Sequence, residues 1–225
     1  KDFSALVKWL KISPRNCITV LDTHDGIGII DVGPMNDKPG LLNEIEINSL
    51  VETIHFNSAG ESKKATGSAA SNVDLYQVNC TYYDALGQND FDYLVARAIQ
   101  LFSPGVPQIY YAGLLAEKNA MGLLSQSNVG RDINRPYVDT TVINKALEKS
   151  FTKALMKLIN FRNSCSAFNG DFEVTSAQST LKMSWKNNEN SAILVINLVE
   201  NTALIEVNEN NSESIINLNH LLNEA

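Results

Sequence analysis

Cys17-Ile18-Thr19-Val20-Leu21-Asp22-Thr23-His24-Asp25-Gly26-Ile27-Gly28 decides the reading of the chain. Its first half is a short, apolar, β-branched run without polar alternation, the pattern of a parallel strand buried on both faces. Its second half turns at once to polar residues and glycine. A parallel α/β barrel places strands of this kind with their charged ends at the C-terminal rim, where the loops hold the chemistry.

Upstream, Phe3, Leu6, Val7 and Leu10 recur at helical spacing until Pro14 removes a backbone donor. The chain opens on Lys1 and reads as a helix already under way, so the expectation is of a fragment or a processed product. Downstream, residues 36–55 read as mostly helical, residues 57–79 as a long polar loop, and DFDYLVARAIQLF (90–102) as a helix ended by SPGVP. PQIYYAG (107–113) reads as a second buried strand, residues 114–139 as a loop, and residues 141–163 as one long helix. This order is the alternation of βαβ units.

After Cys165 the grammar changes to short β-rich runs, FEVTS, TLKMSWK, SAILVINLV and TALIEV, broken by polar turns such as KNNEN. The expected fold class is therefore α/β, with a parallel-barrel type of alternation followed by a small all-β domain; the motif resemblance described below implies that the first part is the C-terminal portion of a (β/α)8 TIM barrel. The expected boundary separates residues 1–163, which that resemblance implies carry strands seven and eight, from residues 164–225. The Asn-rich tail is expected to fray.

Composition narrows the function classes. A formal charge of −7 and the absence of any basic run argue against nucleic acid or an anionic membrane as the main partner. The three cysteines, Cys17, Cys80 and Cys165, are far apart and lack nearby histidines, so they spell neither a disulfide framework nor a metal site. A cytoplasmic setting without metal or cofactor is the expectation. The longest apolar runs fall short of a membrane span.

Three motifs carry chemistry. A His-Asp-Gly triplet alone is more often a turn than a site, but LDTHDGIG ends a strand and is followed by two further matches. The second is AASNVDLYQVN (69–79) and the third is GRDINR (130–135). Together they resemble the sucrose phosphorylases of the α-amylase clan.

That resemblance implies that His24 hydrogen-bonds glucose hydroxyls. It implies that Asp25 stabilises the charge of an oxocarbenium-like transition state, as a fixed carboxylate beside the ring does. It places Asp74, Leu75, Tyr76 and Gln77 on the acceptor side, with Tyr76 and Gln77 exchanging places as fructose leaves and phosphate enters. It brings Arg131 to the glucose site, where a guanidinium offers a rigid fork of donors.

The bland alternatives are an exposed polar loop for residues 74–77 and a structural ion pair for Arg131. Pro136 departs from the histidine that usually follows GRDINR in this family. His55 and His220 read as surface or helix-face residues, and Trp9 and Trp185 as packing.

The resemblance further implies a retaining mechanism: sucrose and phosphate become α-glucose 1-phosphate and fructose through a nucleophilic Asp and an acid/base Glu. No carboxylate in residues 1–163 stands in either motif. The chain alone is thus expected to be inactive and its full-length parent to be a glycosyltransferase. The rival readings are a clan hydrolase, a phosphorylase for sucrose 6'-phosphate or glucosylglycerol, and a non-catalytic sugar-binding half-barrel. A homodimer is left open.

Overall fold

A computed structural model describes residues 2–66 and 77–224. In chain order the elements are α1 (Ser4–Ile12), β1 (Ile18–Val20), β2 (Ile27–Gly28), α2 (Glu44–Asn57), α3 (Glu61–Lys64), β3 (Gln77–Val78), α4 (Tyr82–Ala85), α5 (Asp90–Phe102) and β4 (Val106–Gln108). Then follow α6 (Tyr111–Leu114), α7 (Met121–Ser127), α8 (Thr140–Leu147), α9 (Ser150–Ser164), β5 (Asp171–Ala177), β6 (Thr180–Asn187), β7 (Asn190–Asn197), β8 (Thr202–Glu209), β9 (Ser212–Asn217) and α10 (Leu218–Asn223). They fall into two compact units, one of residues 1–19, 94–108 and 148–225, the other of residues 20–93 and 109–147.

In the first unit β5 to β9 form an antiparallel meander in sequence order. Strict alternation sets its face. Leu181, Met183 and Trp185 of β6 are buried while Lys182, Ser184 and Lys186 point the other way, and Ala192, Leu194 and Ile196 of β7 continue the buried face.

Asparagine makes the turns. Asn210 and Asn211 both take positive φ (54° and 61°) in the two-residue loop between paired Glu209 and Ser212, the geometry of a type I′ hairpin. The tail therefore continues as paired strand instead of fraying. Asn217 then caps α10, its side chain accepting from the amides of Asn219 and His220.

Aromatic contacts fasten the sheet to α5 and α9. Trp185 Nε1 donates to the Phe102 carbonyl at 2.7 Å, Phe168 meets Phe102 edge-on at 5.0 Å, and the Arg162 guanidinium lies 4.2 Å over Phe168. Trp185 is thus core, as expected, whereas Trp9 is half exposed.

The barrel-type elements depart from expectation in a consistent way. β1 and β4 are neighbours in a two-stranded sheet, joined where the Val106 amide donates to the Cys17 carbonyl at 2.9 Å. Gly105 enters β4 at φ 106°, and a Cβ there would lie 2.4 Å from that same carbonyl oxygen.

Ile18, Val20 and Val106 are exposed, so β1 and β4 are not buried on both faces as their sequences predict. Two strands cover neither face of each other. PQIYYAG is strand only to Gln108, after which Tyr111–Leu114 winds into α6. The segment expected as one helix over residues 141–163 is α8 and α9, broken at residues 148–149, and the loops expected at 57–79 and 114–139 contain α3 and α7.

The second unit forms around Ile29, Ile54, Val78, Cys80 and Ala85, flanked by Ile27, Ile47 and Val51. A capping box starts α2: the Asn43 side chain accepts from the Glu46 amide, and Glu46 Oε2 accepts from the Asn43 amide at 2.8 Å.

His55, near the end of α2, is buried instead of surface-lying. Its Nδ1 lies 2.6 Å from Ser62 Oγ, which in turn lies 2.7 Å from Ser58 Oγ. Burial lowers its pKa below the ordinary value of 6.5, with the Glu52 charge opposing and the Lys63 charge reinforcing the shift.

A depressed folded-state pKa means that the unfolded chain takes up the proton first. Stability contributed by neutral His55 is therefore complete above about pH 6.5 and is lost as pH falls towards the lowered folded value. His55→Gln keeps a polar partner for Ser62 but does not titrate. Urea midpoints measured from pH 7 to pH 5 are expected to fall less steeply in H55Q than in wild type, and parallel profiles would contradict the assignment.

Candidate functional site

The second unit gathers the residues singled out by two of the three motifs. After β1 the chain turns through Thr23, whose Oγ1 accepts from the Asp25 amide at 3.1 Å, and then through Gly26 at φ 90° into β2. β2 pairs antiparallel with β3, Ile27 opposite Val78 and Gly28 opposite Gln77, so Gln77 stands beside the strand that Asp25 leads into. Gln77 Oε1 is buried without a hydrogen-bond partner among the described residues. Asp74, Leu75 and Tyr76 lie outside the described residues.

Residues 130–134 form a 3-10 turn that delivers GRDINR to the same place. Three cationic or ionisable groups converge on one oxygen of Asp25. His24 Nε2 lies 3.3 Å from Oδ1, Arg131 Nη1 3.3 Å and Arg135 Nη2 3.6 Å.

These spacings exceed those of a charge-assisted hydrogen bond, so the attraction is Coulombic and not directional. Asp25 Oδ1 itself is buried, yet the Asp25 side chain is one-third exposed (34%). The accessible surface therefore belongs to the remainder of the side chain, which leaves the second oxygen as the one that can accept from a ligand while Oδ1 stays anchored. His24, at 59% side-chain exposure, is open to a ligand as well.

The sequence reading missed Arg135. Its Nε donates to the His24 carbonyl at 3.2 Å and its Nη1 lies 3.4 Å from Asp132 Oδ1. Tyr110 and Tyr111 secure the neighbouring backbone, their hydroxyls donating to the Asn134 carbonyl at 3.1 Å and the Pro136 carbonyl at 2.7 Å. The Pro136 departure thus has a structural setting: it is a tethered residue directly after Arg135.

Other groups in this unit are ill suited to bond-breaking. The Cys80 thiol is buried, and burial pushes its pKa up to about 12, so it carries no thiolate near neutrality. Asp84 is buried and saturated by the Thr81 hydroxyl, the Gln88 amide and the Asn119 backbone N–H. The Tyr93 hydroxyl is 3.0 Å from Asp22 Oδ2, beside a space of about 10 Å³, room for one water.

Among the described residues no group of three or more His, Cys, Asp or Glu is placed to hold a metal ion, and no helix is long and apolar enough to cross a membrane. The three cysteines are free thiols. The cluster can bind a polyhydroxyl ligand and stabilise positive charge beside it.

The chain is 57% identical over 206 residues to the sucrose phosphorylase of Agrobacterium vitis, covering 91% of this chain and 42% of that enzyme. It is 51% identical over 190 residues to the sucrose phosphorylase of Bifidobacterium adolescentis, covering 83% of this chain and 38% of that enzyme.

The crystal structure of sucrose 6F-phosphate phosphorylase from Thermoanaerobacter thermosaccharolyticum superposes with a TM-score of 0.82 at 33% identity, covering 96% of this chain and 44% of that one. No family model matches the chain. The chain spans about two fifths of the length of the curated relatives it matches. The expected fold class, a C-terminal barrel portion followed by a small all-β domain, is borne out by that superposition and by the five-stranded sheet.

Proposed function

From a chain homologous over most of its own length to about two fifths of the length of sucrose phosphorylases, we propose that a longer enzyme carrying these residues converts sucrose and phosphate into α-glucose 1-phosphate and fructose. The observation that carries the reading is the anchored Asp25, one oxygen buried among His24, Arg131 and Arg135 while the side chain as a whole stays one-third exposed.

In that reading His24 and Asp25 accept and donate hydrogen bonds at the glucosyl hydroxyls. As the bond to fructose lengthens, the ring gains positive charge and the accessible side of the Asp25 carboxylate draws closer to it. Arg131 orients Asp25 from 3.3 Å. Gln77, whose Oε1 has no hydrogen-bond partner among the described residues, supplies an acceptor beside the strand that follows Asp25, and the acceptor-side role of Asp74, Leu75 and Tyr76 rests on their motif.

Bond cleavage with retention needs a nucleophilic carboxylate and an acid/base carboxylate about 5 to 5.5 Å apart. Residues outside this chain would supply both, so the 225 residues alone bind without turning over. Residues 1–163 would form the end of the catalytic barrel and residues 164–225 its β domain. Three free thiols fit a cytoplasmic enzyme.

The test offers the longer enzyme sucrose, sucrose 6'-phosphate and glucosylglycerol in turn with phosphate, and follows α-glucose 1-phosphate by phosphorus NMR. Sucrose is expected to be preferred. Preference for either alternative would transfer the activity to that donor, and release of free glucose alone would make the enzyme a hydrolase.

A further inference from the structure

Two arginines of one short motif, Arg131 and Arg135, approach the same Asp25 oxygen, but they do so differently. Arg131 meets the carboxylate through Nη1 at 3.3 Å. Arg135 spreads its guanidinium over three acceptors: Nε donates to the main-chain carbonyl of His24, Nη2 faces Asp25 Oδ1 at 3.6 Å, and Nη1 faces Asp132 Oδ1 at 3.4 Å. A single planar group thus touches the backbone of one candidate ligand-binding residue and the side chain of the next.

The base of this side chain is itself fixed. Pro136 restricts the backbone of the residue before it, and Arg135 sits at φ −122° and ψ 52°. Tyr111 holds the Pro136 carbonyl and Tyr110 the Asn134 carbonyl, so both neighbours of Arg135 are tethered. Asp132 offsets part of the positive charge that Arg135 adds beside Asp25.

We propose that Arg135 is a positioning residue that sets the spacing between the His24 main chain and the Asp25 carboxylate, and thereby the pose of both towards the glucosyl ring. The inference rests on the glucosyl-transfer reading above. A guanidinium suits the role because its donors lie in one rigid plane at fixed separation, whereas an ammonium is a point charge on a flexible stem and cannot span a carbonyl and a carboxylate with defined angles.

The experiment compares wild type, Arg135→Lys and Arg135→Gln in the longer enzyme, measuring kcat and KM for sucrose together with thermal midpoints. Misplacement of Asp25 by a fraction of an ångström is expected to lower kcat by about 10- to 100-fold in both variants, with KM changed by less than about threefold. R135K, which keeps charge and bulk, is the deciding variant where R135Q does not fold.

Folded R135K with kcat within twofold of wild type overturns the proposal, as does a variant that only melts earlier. A wild type that makes no α-glucose 1-phosphate counts against the phosphorylase reading instead. The same kcat and KM split on the glycoside it does cleave then decides the role of Arg135.

Discussion

Asp25→Asn in the longer enzyme is expected to cut kcat by about 10²- to 10³-fold, the scale seen when one preorganised electrostatic group is removed from a transition state. Asparagine preserves the shape and two hydrogen-bonding positions, so ground-state binding of sucrose survives and KM moves little. What disappears is a negative charge beside a ring that becomes positive.

The substitution also leaves Arg131 and Arg135 facing a neutral amide at 3.3 and 3.6 Å, turning two attractions into mutual repulsion. Initial rates of α-glucose 1-phosphate formation measure the effect. A loss smaller than tenfold would mean that Asp25 is a structural anion for the two arginines and no more.

Gly26→Ala is expected to damage both stability and activity. The residue sits at φ 90°, where an L side chain is strained by about 1 to 2 kcal/mol. Its new Cβ would stand 2.8 Å from the Val78 carbonyl oxygen, 3.0 Å from Asn79 Oδ1 and 3.2 Å from Asn134 Nδ2.

The Val78 oxygen is main chain of the strand paired with β2, and both asparagines are buried, so relief requires moving β2 away from β3. That movement carries Asp25 and Gln77 with it. The urea midpoint is expected to drop by the equivalent of about 2 kcal/mol or more, with kcat falling at least tenfold in the folded fraction. An unchanged midpoint would show that the turn tolerates a side chain and that the Asp25 pose is set elsewhere.

How much of this was legible beforehand depends on whether the signal is local. The period-2 alternation of β6 and the polar hairpin turns are local facts, and the meander follows from them. The meaning of Asn210 and Asn211 was harder to see, because an Asn-rich run reads equally as a soft tail and as a positive-φ turn until its flanking strands are paired.

Burial of β1 failed for a non-local reason. ITV has the composition of a strand covered on both faces, but coverage comes from neighbours, and among the described residues β1 has only β4 beside it in its sheet. The apolar surface of Ile18, Val20 and Val106 remains exposed.

Within the site, His24, Asp25 and Arg131 were picked out by motif, and the fold brings them together across more than a hundred residues of chain. Arg135 was overlooked although it lies four residues from Arg131. Sequence spacing could not reveal that a 3-10 turn presents both guanidiniums to one carboxylate. A signal was available in Pro136, since a proline directly after an arginine restricts that arginine's backbone, but its consequence needed the tethering hydroxyls of Tyr110 and Tyr111.

The central claim is that these residues hold and stabilise a glucosyl unit while carboxylates outside the 225 residues make and break its bond. Incubating sucrose and phosphate with the longer enzyme, and separately with the 225-residue chain, tests it most directly. Equimolar α-glucose 1-phosphate and fructose are expected from the longer enzyme, and no turnover from the chain. Phosphorolysis by the chain alone, or free glucose as the only sugar product beside fructose from the longer enzyme, would contradict it.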